Sequence, residues 1–254
     1  TNILNNLNIT QLILKQRDMV RVTNRILMKV VRETTKILNT KQRQLQNIKW
    51  TNGESNLDVE YSKLSCDCFK EAWNVFISEN TDYKDVQMRC YVPDIKITFQ
   101  YTDNTIDNFK VELKSSKNKK LPGSTIQKLN INQPLIYCLR PKSKNNTFLI
   151  KCSQYHHAMG NSYFDLFQDR TPRPFLNFNK MYSEKDDFEY EEKNKASWIE
   201  HYASCAMTRL EQPDKCIHSW QDDMVQIIKQ RVIQEFILNT SIEEFKKCKL
   251  DSVD

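Results

Sequence analysis

The sequence predicts an α+β or mixed α/β fold. Three observations predict it: helix-periodic segments open the chain, alternating apolar segments fill its middle, and helix-periodic segments return towards its end. With 254 residues, one large domain can bury a core that stands without staples.

From about Thr10 to Asn47 the chain reads as helix, in one piece or two. Ile9, Leu12, Ile13, Val20, Ile26, Leu27, Val30, Val31, Ile37 and Leu38 recur at helical spacing, Gly and Pro are absent, and Thr10 is a candidate cap. Arg17, Arg21, Arg25, Lys29, Arg32 and Lys36 follow in steps of three and four and so share one face. Asn52-Gly53 marks a turn, and a second helix is expected from Asn56 to Ser78, broken by Asn80-Thr81-Asp82.

The texture then changes. Val86 to Gln100 alternates as a strand with one buried face, Thr102 to Thr105 reads as a turn, and Phe109 to Lys114 alternates again, so a hairpin is expected. Ser115 to Ser124 is a polar, basic loop ending in Pro122-Gly123, followed by a helical piece around Thr125 to Asn130. Leu135–Leu139 and Phe148–Cys152 read as core strands, joined by a loop over Arg140 to Asn146. Tyr155 to Lys180 reads as irregular. Ala196–Leu210, Asp222–Leu238 and Ile242–Cys248 read as helices.

The charge is uneven. The first fifty residues carry ten Lys/Arg against Asp18 and Glu33, whereas Tyr182 to Lys193 carries six acids. A basic end points to an anionic partner, with a solvated helix face as the competing reading. Only three glycines occur, which argues against glycine-rich phosphate cradles and dinucleotide fingerprints. Eight cysteines, several in apolar runs, with no signal peptide and no membrane-length apolar stretch, read as reduced thiols of an intracellular protein, cytoplasmic or nuclear and not secreted. His201, Cys205, Cys216 and His218 lie close enough in sequence for a structural Zn²⁺, but their spacing fits no familiar finger, so separate buried cysteines and exposed histidines are the preferred reading. His156-His157 reads as loop packing rather than a metal or phosphate site. Tyr163, Phe164, Phe167, Phe175 and Phe178 read as cover for the sheet rather than a base-stacking surface.

The segment that carries chemistry is Val92-Pro93-Asp94-Ile95-Lys96 followed by Val111-Glu112-Leu113-Lys114. Glu112 and Lys114 are two apart on a strand and point to one face, while Val111 and Leu113 face the core. Asp94 stands at the start of the adjoining strand, so a hairpin gathers two carboxylates and an ammonium. Hard oxygen ligands suit Mg²⁺, with Asp94, Glu112 and the Leu113 carbonyl as the ligand set. Lys114 is the candidate for orienting an attacking water and stabilising the transition state. The competing reading is a surface hairpin with an ordinary Glu112–Lys114 ion pair.

These residues resemble the PD-(D/E)XK nuclease superfamily: Pro93-Asp94 matches the first half of its motif and Glu112-Leu113-Lys114 the second, across about Asn56 to Cys152. The resemblance implies a restriction-endonuclease-like mixed sheet flanked by helices, with helical additions at both ends. It implies Mg²⁺-dependent cleavage of double-stranded DNA, of the sequence-specific type II kind, by a homodimer that supplies two sites by symmetry. It also implies an acidic residue on the preceding helix, Glu71 ahead of Glu60. Lys117, Lys119, Lys120 and Lys128 are candidate backbone contacts, joined by Arg17, Arg21 and Arg25. Gln127, Asn130, Asn132, Gln154, Asn161 and Arg173 are candidate base readers. The expected organisation is a basic helical segment over 1–52, a nuclease core over 53–155 and an aromatic loop region with helices over 156–254, packed as one domain. RNA-directed or structure-directed cleavage, or nucleic-acid binding without catalysis, are the alternatives.

Overall fold

A computed structural model of the chain describes residues 20–50, 59–125, 129–143, 147–159, 173–183, 186, 190–210 and positions 227, 229–231 and 234. The expected elements over Thr125–Asn130 and Asp222–Leu238 lie partly outside these residues, and Ile242–Cys248 entirely so. Among the described residues the fold is mixed α/β, a five-stranded mixed sheet flanked by helices. No described helix is long and apolar enough to cross a membrane.

Two compact units divide the chain. The first comprises Thr1–Leu121, Asn130–Gly160 and Leu176–Lys193, and the second the remainder. The described helices ahead of residue 52 belong to the sheet-bearing unit.

Helix α1 spans Asn24–Thr40 and α2 Gln42–Asn47, so the first segment is broken at Lys41. The Thr23 hydroxyl caps α1 by accepting the Ile26 N–H at 3.3 Å. Leu27, Val30, Val31, Thr34, Thr35 and Leu38 bury one face of α1. The Thr34 and Thr35 hydroxyls donate to the carbonyls of Val30 and Val31 at 2.8 and 2.9 Å, so neither is orphaned in the core. Helix α3, Val59–Glu79, buries Tyr61, Cys66, Phe69, Ala72 and Trp73.

The sheet is ordered β1-β2-β3-β5-β6: Gln87–Tyr91, Ile95–Gln100, Ile106–Ser116, Pro134–Leu139 and Leu149–Gln154. A separate two-stranded ribbon pairs β4, Lys120–Pro122, with β7, Phe175–Asn177. Strand β3 is central, antiparallel to β2 and parallel to β5. Its Val111 and Leu113 join Ile95, Ile97, Phe99, Ile136 and Cys138 in the core beneath α1 and α3. The edge strand β6 is covered. Asn39 exchanges two hydrogen bonds with the Ile150 backbone, both at 3.0 Å, and Gln42 does the same with Phe148 at 3.0 and 2.9 Å.

Three expectations need correction. The strand over Val86–Gln100 is two strands joined by a turn over Val92-Pro93-Asp94. The expected short strand at Phe109–Lys114 runs the whole of Ile106–Ser116. The described part of Tyr155–Lys180 is not irregular: α4 spans Tyr155–Met159, and β7 is followed by a 3₁₀ turn over Phe178–Lys180. Phe178 packs edge-on against Tyr137, with centroids 5.3 Å apart. In the second unit, α5 spans Lys195–Leu210.

Candidate active site

The site forms where the β1–β2 turn meets the middle of β3. Ile95 pairs with Val111, so Asp94, one residue before β2, lies beside Glu112. Asp94 adopts φ 56°, a left-handed conformation that Asp tolerates better than most residues. Its side chain takes over where β2 ends: Oδ1 accepts the Leu113 N–H at 3.3 Å. The N–H and C=O of one strand residue point the same way, so the Leu113 carbonyl is directed to the Asp94 side of β3.

Glu112 points away from the helix-covered core and is still only 9% exposed at its side chain. Lys114 Nζ lies 2.6 Å from its Oε1 and Lys110 Nζ 2.7 Å from its Oε2, so each carboxylate oxygen has its own ammonium. The Lys110 nitrogen also lies 3.0 Å from Asp94 Oδ2. One cation therefore bridges the two carboxylates. Burial pushes the Glu112 carboxyl up, but Lys114 and Lys110 outweigh it and hold the group below its ordinary value. Burial likewise works against the Lys110 charge, and Glu112 and Asp94 more than offset it, raising that ammonium above its ordinary value.

Lys110 is the residue that sequence reasoning missed. Its signal is present: it stands two before Glu112 and four before Lys114, so all three share a face of β3. Lys96 pairs directly with Lys110 across the β2–β3 ladder and joins them on that face.

Glu71 does not join the cluster. It is 55% exposed and pairs with Lys41 at 3.6 Å. The Glu60 carboxylate accepts the Lys49 N–H at 2.9 Å. Among the described residues no group of three His, Cys, Asp or Glu is arranged to hold a metal. Two carboxylates suffice for Mg²⁺, which keeps several waters and binds through one or two carboxylates. The residues fit such an ion: their oxygens are hard donors, and a cationic nitrogen already sits within reach of both.

The candidate nucleic-acid contacts fare unevenly. Lys117, Lys119 and Lys120 are exposed after β3, with the Lys119 carbonyl accepting the Phe178 N–H at 2.8 Å. Arg17, Gln127, Lys128 and Asn161 lie outside the described residues. Arg21 precedes the cap of α1 rather than sitting on it. It pairs with Asp103 and Asp107 at 3.5 and 3.6 Å and stacks on Tyr101 at 4.5 Å, so it ties the chain to the β2–β3 turn. Arg25 is exposed on α1, Lys36 pairs with Glu33 at 2.8 Å, and Arg32 donates to the Asp186 carbonyl. The basic stripe is thus partly spent on bonds within the chain.

Three candidate base readers serve the fold instead. The Asn130 side chain accepts the Asn132 N–H at 3.2 Å, Asn132 exchanges two bonds with Lys193 at 2.9 Å, and Gln154 exchanges two with Glu191 at 2.6 and 3.0 Å. Arg173 is exposed. His156 Nε2 lies 3.2 Å from the Glu191 carbonyl and His157 stacks on Tyr182, both as packing. Of the zinc candidates, His201 Nε2 and Cys205 Sγ are 3.6 Å apart on α5, and Cys216 and His218 fall outside the described residues.

No family model matches the chain, and neither a curated protein nor a solved structure matches it.

Proposed function

We propose that the chain is a Mg²⁺-dependent endonuclease that hydrolyses phosphodiester bonds of double-stranded DNA, acting as a homodimer. One observation carries the reading: Asp94 and Glu112 both bond the Lys110 ammonium, at 3.0 and 2.7 Å, with Lys114 on the other oxygen of Glu112. Two carboxylates that already share one cation are spaced for a divalent ion, and the motif resemblance points to the same residues.

Asp94 and Glu112 would hold the ion, with the Leu113 carbonyl on the same side of β3. The chemistry supplied by a bound Mg²⁺ is a water of lowered pKa and charge neutralisation at phosphorus. Lys114, 18% exposed beside Glu112, donates to the water or to a phosphate oxygen as negative charge builds. Lys110, 42% exposed, has room to leave the carboxylates and turn its ammonium to the phosphate. The cluster combines two acids with Lys96, Lys110 and Lys114, a net positive charge that favours a polyanion.

The test is digestion of one long DNA with Mg²⁺ and with EDTA. The expected result is cleavage with Mg²⁺ alone, lost in Asp94→Ala and Lys114→Ala proteins that keep their fold. Discrete fragments would add sequence specificity. Absence of cleavage under Mg²⁺ and Mn²⁺ would sink the reading.

A further inference from the structure

The three-stranded antiparallel part of the sheet has two unlike faces. Odd-numbered β2 residues pack beneath the helices with Met88, Cys90, Phe109 and Val111 of the neighbouring strands. The register builds the opposite face as rungs of three residues, one from each strand. Arg89, Thr98 and Asn108 make one rung, and Tyr91, Lys96 and Lys110 the next. Arg89, Tyr91, Lys96, Asn108 and Lys110 are exposed, with Tyr91 at 47%. The two rungs lie about 7 Å apart, the two-residue repeat of a strand. The second rung ends at the carboxylate pair, since Lys110 bonds Asp94 and Glu112.

Two features of this face are unfavourable for a surface that meets only water. Lys96 and Lys110 stand directly opposite on neighbouring strands, where like charges repel, and Asp94 and Glu112 offset that repulsion only from the Lys110 side. A half-exposed Tyr91 ring lies on the same rung. An anion along the rungs relieves the first, and a stacked planar group covers the second. Neither rung carries an acid, and Asp94 and Glu112 lie at the end of the second through Lys110.

We infer that this face, through Arg89, Tyr91 and Lys96, binds an unpaired nucleic-acid strand and delivers it to the Asp94–Glu112 pair. The phosphates lie on Arg89 and Lys96 and a base stacks on Tyr91, which is the combination that holds single strands without regard to sequence. The inference rests on the nuclease reading of that pair. It narrows the substrate to a duplex that offers an unpaired strand beside the scissile phosphate.

The experiment measures fluorescence anisotropy of a short end-labelled DNA strand, and of the same strand in a blunt duplex, in EDTA so that nothing is cut. Wild type binds the single strand more tightly than the duplex. Arg89→Ala/Lys96→Ala weakens single-strand binding at least about tenfold and reduces the slope of log affinity against log salt by about 1.4, as two lost phosphate contacts require. Tyr91→Ala weakens it at least about fivefold, the low end for one lost stack. Lys63→Ala/Lys84→Ala removes two exposed lysines elsewhere and is the charge control. Equal losses in this control and in Arg89→Ala/Lys96→Ala overturn the inference, as does a Tyr91→Ala protein that binds like wild type. A companion digest with Mg²⁺ of a duplex that carries an unpaired strand separates the two readings. Cleavage with no dependence on Arg89, Tyr91 or Lys96 removes this face alone; face-dependent binding with no cleavage removes the nuclease and leaves the face.

Discussion

The Lys110 ammonium lies 2.7 Å from Glu112, two residues along the same strand, and holds the carboxylate oxygen that Lys114 does not. That nitrogen competes with any metal for Glu112 and, at 3.0 Å, for Asp94. Lys110→Met is therefore expected to bind Mn²⁺ about tenfold more tightly in calorimetry, which is about 1.4 kcal/mol. In EDTA the variant loses about 1 kcal/mol of stability, a small figure because Lys110 is partly solvated. Metal affinity equal to that of wild type would remove Lys110 from this role.

Glu112→Gln tests the opposite partner. Removing the charge leaves Lys114, 18% exposed, without its carboxylate, so stability falls by about 1–3 kcal/mol in urea unfolding. Hydrolysis falls at least about a hundredfold, as expected when a ligand of the ion that would offset charge at phosphorus is lost. Full activity in a folded Glu112→Gln protein would contradict the assignment.

Arg21 is predicted to matter little for nucleic acid. Its bonds go to Asp103 and Asp107, both partly exposed, and its guanidinium lies over the buried Tyr101 ring. Arg21→Ala should cost no more than about 1 kcal/mol and leave DNA affinity within about twofold of wild type. A large loss of affinity with unchanged stability would restore Arg21 to the binding surface.

The histidines next to β6 set an acid limit on stability. Burial pushes both His156 and His157 below the ordinary histidine value, against the favourable Glu191 and Lys180 carbonyls. The unfolded chain then takes up protons before the folded one does. Their contribution is fully present above about pH 6.5 and is lost as pH falls through the lower folded values. The melting temperature should drop between about pH 7 and about pH 5, and His156→Gln, which still reaches the Glu191 carbonyl, should drop less. Identical pH profiles would refute the contribution.

Much of the core was readable from alternation, because strands under helices must present apolar residues at every second position. The β1–β2 turn was hidden because apolar residues continue through it. The clue is a change of parity: Met88, Cys90 and Val92 are even, whereas Ile95, Ile97 and Phe99 are odd. The meeting of Asp94, Glu112 and Lys114 was readable because it needs only a hairpin and a two-residue repeat. Glu71 was not, since its direction depends on how α3 is rotated over the sheet, and packing of Phe69, Ala72 and Trp73 fixes that rotation. The fate of Arg21 was hidden too, because Asp103 and Asp107 lie some eighty residues away.

The amides of Asn39 and Gln42 have a consequence for assembly. They occupy the outward backbone groups of Ile150 and Phe148, and the Tyr182 N–H takes the carbonyl of Cys152 at 3.1 Å. A second copy cannot zip onto that margin without first displacing these groups. Any continuous sheet shared by two subunits must therefore grow from the Gln87–Tyr91 side, and a dimer that leaves this side untouched must join through helices or loops.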